Sequence, residues 1–391
     1  MKLLFSVPSG YHLRELVLPL RSHLEANAAI SEVHLVTPAA SQANDIFKGF
    51  GVKFHFHENP KDDSGHKELL SAISPNVVIT NTVGHDALDE PLLRIAHELS
   101  IATVTFIASW DNVWKIDRLI ASRVPIFVAD RFIVWNAMMK QHLMRTFPTV
   151  TQDRIAVIGA PRLDYFSKTD HIPSKEVVYS YLGFKDTSRP FIHIATTELY
   201  PMEYIVQALR ENIDSGAIPH NPYLYASVHP GGSMDRYEAF EKYGVTVKFS
   251  PGRRENATIP SFKYVPTDED VFLSAGIFTH AGLLVNHSST TALESLIANV
   301  PVINVRYGMI LDWWNWYRSM VYRDFQQHYA DLISDDATYV VRSKREFIEA
   351  ARDALNNPSE KSAARDITVE KMITTIDGSA SSQVLSFITR I

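Results

Sequence analysis

The chain contains no cysteine, which excludes disulfides, thiolate metal ligands and thiol nucleophiles and leaves the compartment undecided. It has no run near the roughly 18 apolar residues of a membrane-spanning helix. Its net charge is −6 and no basic face is visible, which argues against nucleic acid as the main partner. No glycine-rich turn leads into Gly-Lys-Ser/Thr, and no GxGxxG opens the chain, so neither a P-loop nor the dinucleotide fingerprint is present. Metal signals are weak. Asp268, Glu269 and Asp270 are acidic neighbours, but they precede an apolar helix and mark its N-terminus.

What remains is a chain of 391 residues, 46% hydrophobic and 21% charged, which is globular in composition and long enough for two domains with a core each. The opening MKLLFSVPSG is too briefly apolar for a signal peptide and runs at once into His12, Arg14 and Glu15, so it reads as a first strand. The expected location is cytoplasmic, with peripheral contact at the inner face of a membrane left open.

Short apolar runs alternate with helical patterns, the signature of α/β folds built on parallel sheets. In the first half, strands are expected at 2–7, 33–37, 52–57, 76–80, 103–107, 132–135 and 154–158. The pattern breaks between Gly159 and Arg189, where Pro161, Pro173, Gly183 and Pro190 mark a linker or domain edge. It resumes with strands at 191–195, 223–228, 245–249, 262–265, 283–285 and 302–305. Helices follow at 343–356, 363–375 and 380–389. The organisation read from this is a Rossmann-like acceptor domain over 1–165, a Rossmann-like donor domain over 166–375, and a terminal helix over 376–391 packing back on the first domain.

The most informative stretch is Leu283 to Val305, LLVNHSSTTALESLIANVPVINV. It reads as strand, polar turn, helix and strand, with Leu293, Leu296 and Ile297 on the buried helix face and Asn299 and Pro301 ending the helix. Ser288, Ser289, Thr290 and Thr291 fall where the helix begins. One or two hydroxyls suffice for a cap. Four, with Glu294 one turn on, are more than a cap needs and suit phosphate at the positive helix end and a ribose diol on the carboxylate, with an ordinary strand-to-helix turn as the plainer alternative.

In open α/β sheets, ligands bind beyond the carboxyl ends of the strands, so residues just after strands matter most. After the first strand, Gly10 permits a tight turn and His12 opens a helix, where its neutral, proton-accepting form is favoured and suits a general base. A solvated or capping histidine is the plainer alternative. After 103–107 come Trp110, Asp111 and Asn112, an aromatic and polar group fit to stack on and hydrogen-bond a sugar, with Asp111 a second candidate base. Equally, Asp-Asn shapes a turn. Thr196 and Thr197 follow 191–195, and His229, Pro230, Gly231 and Gly232 follow 223–228, where the histidine can donate to a phosphate oxygen and the glycines admit a ligand to the backbone, a structural turn being the alternative. Trp313, Trp314, Trp316 and Tyr317 are the densest aromatic group. They are read first as core, with an acceptor site or a membrane contact as alternatives.

Taken together, these segments resemble a GT-B glycosyltransferase over nearly the whole length. PSGYHLRELVLPL resembles the first loop and helix of that fold family, IAVIGAPRLDYF its crossover, and NHSSTTALESLIANVPVINV its donor-site element. SVHPG paired with SSTT resembles bacterial surface-polysaccharide transferases of capsule, O-antigen and wall polymers, as does DGSAS at Asp377. The acidic-acidic-glycine motif of several cytidine-using members is missing, so the donor stays open between UDP-linked and CMP- or CDP-linked sugars.

The resemblance implies two Rossmann-like domains facing a central cleft, a nucleotide-sugar donor as substrate and no resident cofactor. The donor phosphates would lie on Ser288 to Thr291 and His229, with Glu294 on the ribose. A glycan or lipid-linked acceptor would lose a proton to His12 or Asp111 in an inverting, metal-independent transfer. A sugar-nucleotide epimerase of the UDP-N-acetylglucosamine type shares the fold and much of the second-half motif, but its early Gly-Thr-Arg-Pro-Glu is replaced here by PSGYHLRE. A non-catalytic nucleotide-sugar-binding protein of the same fold is the third alternative.

Overall fold

The computed structural model describes all residues except 43–45, 48, 83–88, 255, 256 and 310. Among the described residues thirteen strands form two sheets, and every pairing is parallel. The first sheet comprises β1 (Lys2–Ser6), β2 (Glu32–Val36), β3 (Phe54–His57), β4 (Val77–Asn81), β5 (Ala102–Phe106), β6 (Arg131–Val134) and β7 (Ile155–Val157). Its order is β3-β2-β1-β4-β5-β6-β7. The second comprises β8 (Phe191–Ala195), β9 (Tyr223–Val228), β10 (Val245–Phe249), β11 (Leu283–Asn286), β12 (Val302–Val305) and β13 (Tyr339–Val341), in the order β10-β9-β8-β11-β12-β13. The central strands are buried and mostly apolar because helices cover both faces of a parallel sheet.

Both sheets therefore repeat one doubly wound plan. The chain adds strands outward in one direction from β1, then crosses to β4 on the other side, and it does the same from β8 to β11. The point of reversal opens a crevice at the carboxyl ends of the strands.

Two compact units result. The first contains Met1–Ser167, Arg254–Thr267 and Met372–Ile391, and the second Lys168–Arg253 and Asp268–Lys371. The expected strand at 262–265 is not one. A 3-10 turn at Pro260–Phe262 stands there, with Phe262 buried edge-on against Phe47, and residues 254–267 belong to the first unit rather than to the second domain in which the sequence places them. The proposed linker holds a helix, Lys175–Leu182, whose Val178, Tyr179 and Leu182 pack with Phe191 of β8 and Tyr225 of β9. β13 escaped the pattern because it is three residues long. The terminal helix Ala380–Ile388 belongs to the first unit, where the Asp164 carboxylate accepts the N–H groups of Ala380 and Ser381 at 3.3 and 2.7 Å. Among the described residues, no helix is long and apolar enough to cross a membrane.

Candidate functional site

In the second unit, the residues that follow β8 and β11 flank the point of reversal. Thr196 and Thr197 leave β8, and His287 to Thr291 leave β11. The turn after β11 is built on a buried amide framework. Asn286 and Asn304 are paired across β11 and β12 and both are fully buried. Asn286 Nδ2 donates to Asn304 Oδ1 at 3.1 Å, Asn304 Nδ2 donates to Thr338 Oγ1 at 2.9 Å, and the Tyr329 hydroxyl donates to Asn304 Oδ1 at 2.8 Å. Asn286 Oδ1 accepts the Ser289 N–H at 3.0 Å. Buried amides pinned on both sides fix the turn in one shape.

That arrangement differs from the expected cap. The helix runs Thr291–Ile297, and Thr290, its N-cap residue, makes no side-chain capping bond. Asn286 holds the turn instead, while Thr291 Oγ1 donates to Ser289 Oγ at 2.8 Å and Ser288 Oγ donates to Asp324 at 3.3 Å. The turn thus presents hydroxyls arranged by residues beneath it. Glu294 is buried within this helix. Asn299 ends the element in the left-handed region, φ 56°, as an asparagine past a helix end does.

On the neighbouring strands the polar residues are more committed. The Thr196 hydroxyl donates to the Ser227 carbonyl at 3.0 Å, and Thr197 Oγ1 accepts the Leu199 N–H at 3.2 Å. His229 is exposed, and its Nδ1 accepts the Gly231 N–H at 3.1 Å. The neutral ring therefore carries its proton on Nε2 and is a donor there. Pro230 is held by a hydrogen bond from Arg253 to its carbonyl. His287, next to the hydroxyls, is fully enclosed. Its Nδ1 donates to the Val305 carbonyl at 2.7 Å, and burial holds its pKa down to about 4.

In the first unit, the chain turns from β1 into a helix that runs from Gly10 to Ala26 with a π-helical stretch at Leu13–Val17. There the Leu18 N–H reaches five residues back to the Leu13 carbonyl. Pro19 has no N–H for the carbonyl of Glu15, and the helix widens beside it. His12 is 1% exposed, with Nδ1 2.8 Å from Ser9 Oγ and its carbonyl accepting Asn81 Nδ2 at 3.1 Å. Burial lowers its pKa to about 3, so the ring is neutral. Gly10 meets the chain closely: a Cβ there would lie 1.5 Å from the Tyr264 carbonyl oxygen. Its place is set by that packing.

Trp110 is buried against Trp135, and Asn112 is buried with its amide donating to the Thr82 carbonyl. Both serve the fold where they stand. Asp111 precedes the helix Asn112–Ala121 and pairs with Lys115 at 2.9 Å. The aromatic group expected in the core is divided. Trp316 is buried, while Trp313, Trp314 and Tyr317 are more than half exposed.

Sequence reading passed over Asn286, Asn304 and Tyr329. The first two carried a signal, a polar residue at matching places in the apolar runs LLVN and VINV. Tyr329 carried none, since it reaches the site from a helix 40 residues further on.

No protein-family model matches the chain and no curated protein sequence does. Solved structures do. UDP-GlcNAc 2-epimerase from Neisseria meningitidis, bound to UDP-GlcNAc, is 13% identical with a TM-score of 0.67, and the likeness spans 100% of both chains. The UDP-GlcNAc 2-epimerase from Methanocaldococcus jannaschii is 15% identical with a TM-score of 0.64, again over 100% of both. The glycosyltransferase of kitacinnamycin is 13% identical with a TM-score of 0.55, over 100% of this chain and 98% of its own. At such identities the likeness is one of fold, and the fold is GT-B, two Rossmann-like units in one chain.

Proposed function

We propose that this protein binds a nucleotide-sugar on the second unit and breaks the bond between the anomeric carbon and the phosphate. The observation that carries the reading is the hydroxyl turn Ser288 to Thr291, held rigid by Asn286 beside the point of reversal of the second sheet. In this reading the turn and His229 Nε2–H donate to the phosphates, and Glu294 accepts from the ribose. Thr196, Thr197, Pro230 and Gly231 shape the wall. Donors fixed before the reaction stabilise the charge that develops on the leaving phosphate without reorganising, so activity survives a chelator.

Two fates are open to the sugar. Likeness to the UDP-GlcNAc 2-epimerases supports epimerisation at carbon 2 over transfer. Transfer is supported by the first unit, where PSGYHLRE stands in place of Gly-Thr-Arg-Pro-Glu and places a histidine with a pKa of about 3. Such a ring is too weak a base to take a proton from carbon. It can take one from a hydroxyl that grows acidic as it bonds to the anomeric carbon, provided Nδ1–H donates to Ser9 and the lone pair is on Nε2. Asp111 is the other candidate base. A base opposite the leaving phosphate gives inversion, and the acceptor is a glycan or a glycolipid at the membrane face.

The deciding experiment incubates the protein with UDP-GlcNAc and EDTA in D2O and follows it by NMR. A C2 epimer carrying deuterium, formed without acceptor, establishes epimerisation. Nucleotide released only when a glycan hydroxyl is supplied, UDP from this donor or CMP or CDP from a cytidine-linked one, establishes transfer. If UDP, CMP and CDP all fail to raise the melting temperature, the nucleotide site itself is refuted.

A further inference from the structure

The loops that follow β12 and β13 line a pocket of about 530 Å³, open to solvent, within the second unit, with Arg306, Tyr307, Trp313, Trp316, Tyr322 and Arg342 among its walls. The two arginines are the first residues past neighbouring strands, which are in register at Val305 and Val341. The Arg306 guanidinium lies over the Phe325 ring at 5.7 Å. Among the described residues, neither guanidinium forms an ion pair or a hydrogen bond with the protein. Tyr307 keeps its hydroxyl buried with no hydrogen-bond partner among the described residues. Gly308 lets the backbone close on the floor, since a Cβ there would meet Tyr200 Oη at 2.6 Å and Trp316 Cβ at 2.7 Å. Trp316 in turn packs on His287 at 5.5 Å, the residue before the hydroxyl turn.

We propose that this cavity binds a sugar ring that carries a carboxylate or a phosphate. Two unpaired guanidiniums call for an anion, which they bind as forks. The indole faces suit the C–H faces of a pyranose, and the phenols suit its hydroxyls. A nucleobase fits less well. Its imide or amino hydrogens would find no carboxylate or side-chain amide among the lining residues. The volume is within the range of small-molecule sites. The inference uses none of the residues assigned to the nucleotide, so it stands or falls separately.

The test follows tryptophan fluorescence of the full chain during titration with glucuronate, glucose 6-phosphate, glucose and UDP. The expected result is saturable binding of at least one of the two acids, with glucose at least tenfold weaker. Arg342→Gln, at an exposed position, should raise the dissociation constant about tenfold, the worth of a charge-assisted hydrogen bond. The variant should keep the wild-type melting temperature and UDP affinity. Whichever acid binds identifies the anionic group. The inference is overturned if neither acid saturates, if glucose binds equally, if Arg342→Gln changes nothing, or if UDP displaces the acid competitively and so claims the arginines for its phosphates. Acid binding with no binding of UDP, CMP or CDP would refute the nucleotide reading alone.

Discussion

Replacing Asn286 by alanine should both destabilise the second unit and weaken its hold on nucleotide. The substitution removes the acceptor of the Ser289 N–H and one of the two donors to Asn304 Oδ1, at a position with no exposure. Loss of two hydrogen bonds costs about 1 kcal/mol each, and a buried N–H left without a partner adds about 1–2 kcal/mol. The expected total is about 3 kcal/mol, a fall in melting temperature of roughly 6–12 °C for a domain of this size class. Tyr329→Phe is the control. It removes the other donor to Asn304 Oδ1, but that oxygen keeps Asn286 Nδ2 at 3.1 Å, so the cost should be about 1 kcal/mol. Urea unfolding gives the stabilities, and the UDP-induced melting shift gives the affinity. If Asn286→Ala is no more destabilising than Tyr329→Phe, or if it leaves the UDP shift intact, the amide framework is not what shapes the turn.

Two further outcomes follow from the same geometry. His12, His193 and His287 have pKa values lowered by burial from 6.5 to about 3, 3 and 4; the unfolded chain therefore takes up protons near pH 6.5 that the folded chain refuses. Stability should be full above that pH and fall as pH drops toward 4, by up to about 1.4 kcal/mol per pH unit for each histidine, and His193→Gln should flatten the urea-midpoint profile by one proton's share. Gly10→Ala should cost at least about 3 kcal/mol, the upper end of overpacking, because its Cβ would lie 1.5 Å from a backbone carbonyl oxygen; Gly232→Ala, whose Cβ meets the movable Glu198 carboxylate at 2.6 Å and the His229 carbonyl oxygen only at 3.1 Å, should cost much less in the same urea series.

The sequence by itself determined the alternation of strands and helices and the stretch Leu283 to Val305. Those signals are local: a strand buried on both faces must be apolar along its length, and a turn that meets a helix must be polar. β8, β9, β10 and β12 begin and end at the residues the pattern marks. It also pointed to the strand ends as the place where chemistry gathers, since parallel sheets offer no other crevice.

Only the tertiary structure decided how the polar residues are used. Trp110 and Asn112 look exposed from their loop and are buried, because neighbouring strands bring Trp135 and Thr82 against them. Gly10 looks like a turn residue and is set by Tyr264, more than 250 positions away. The same long-range pairing assigns residues 254–267 to the first unit, brings Tyr329 under the hydroxyl turn, and sets Arg306 beside Arg342. Strand order and side-chain packing join segments far apart in the chain, and no window of local sequence contains both partners.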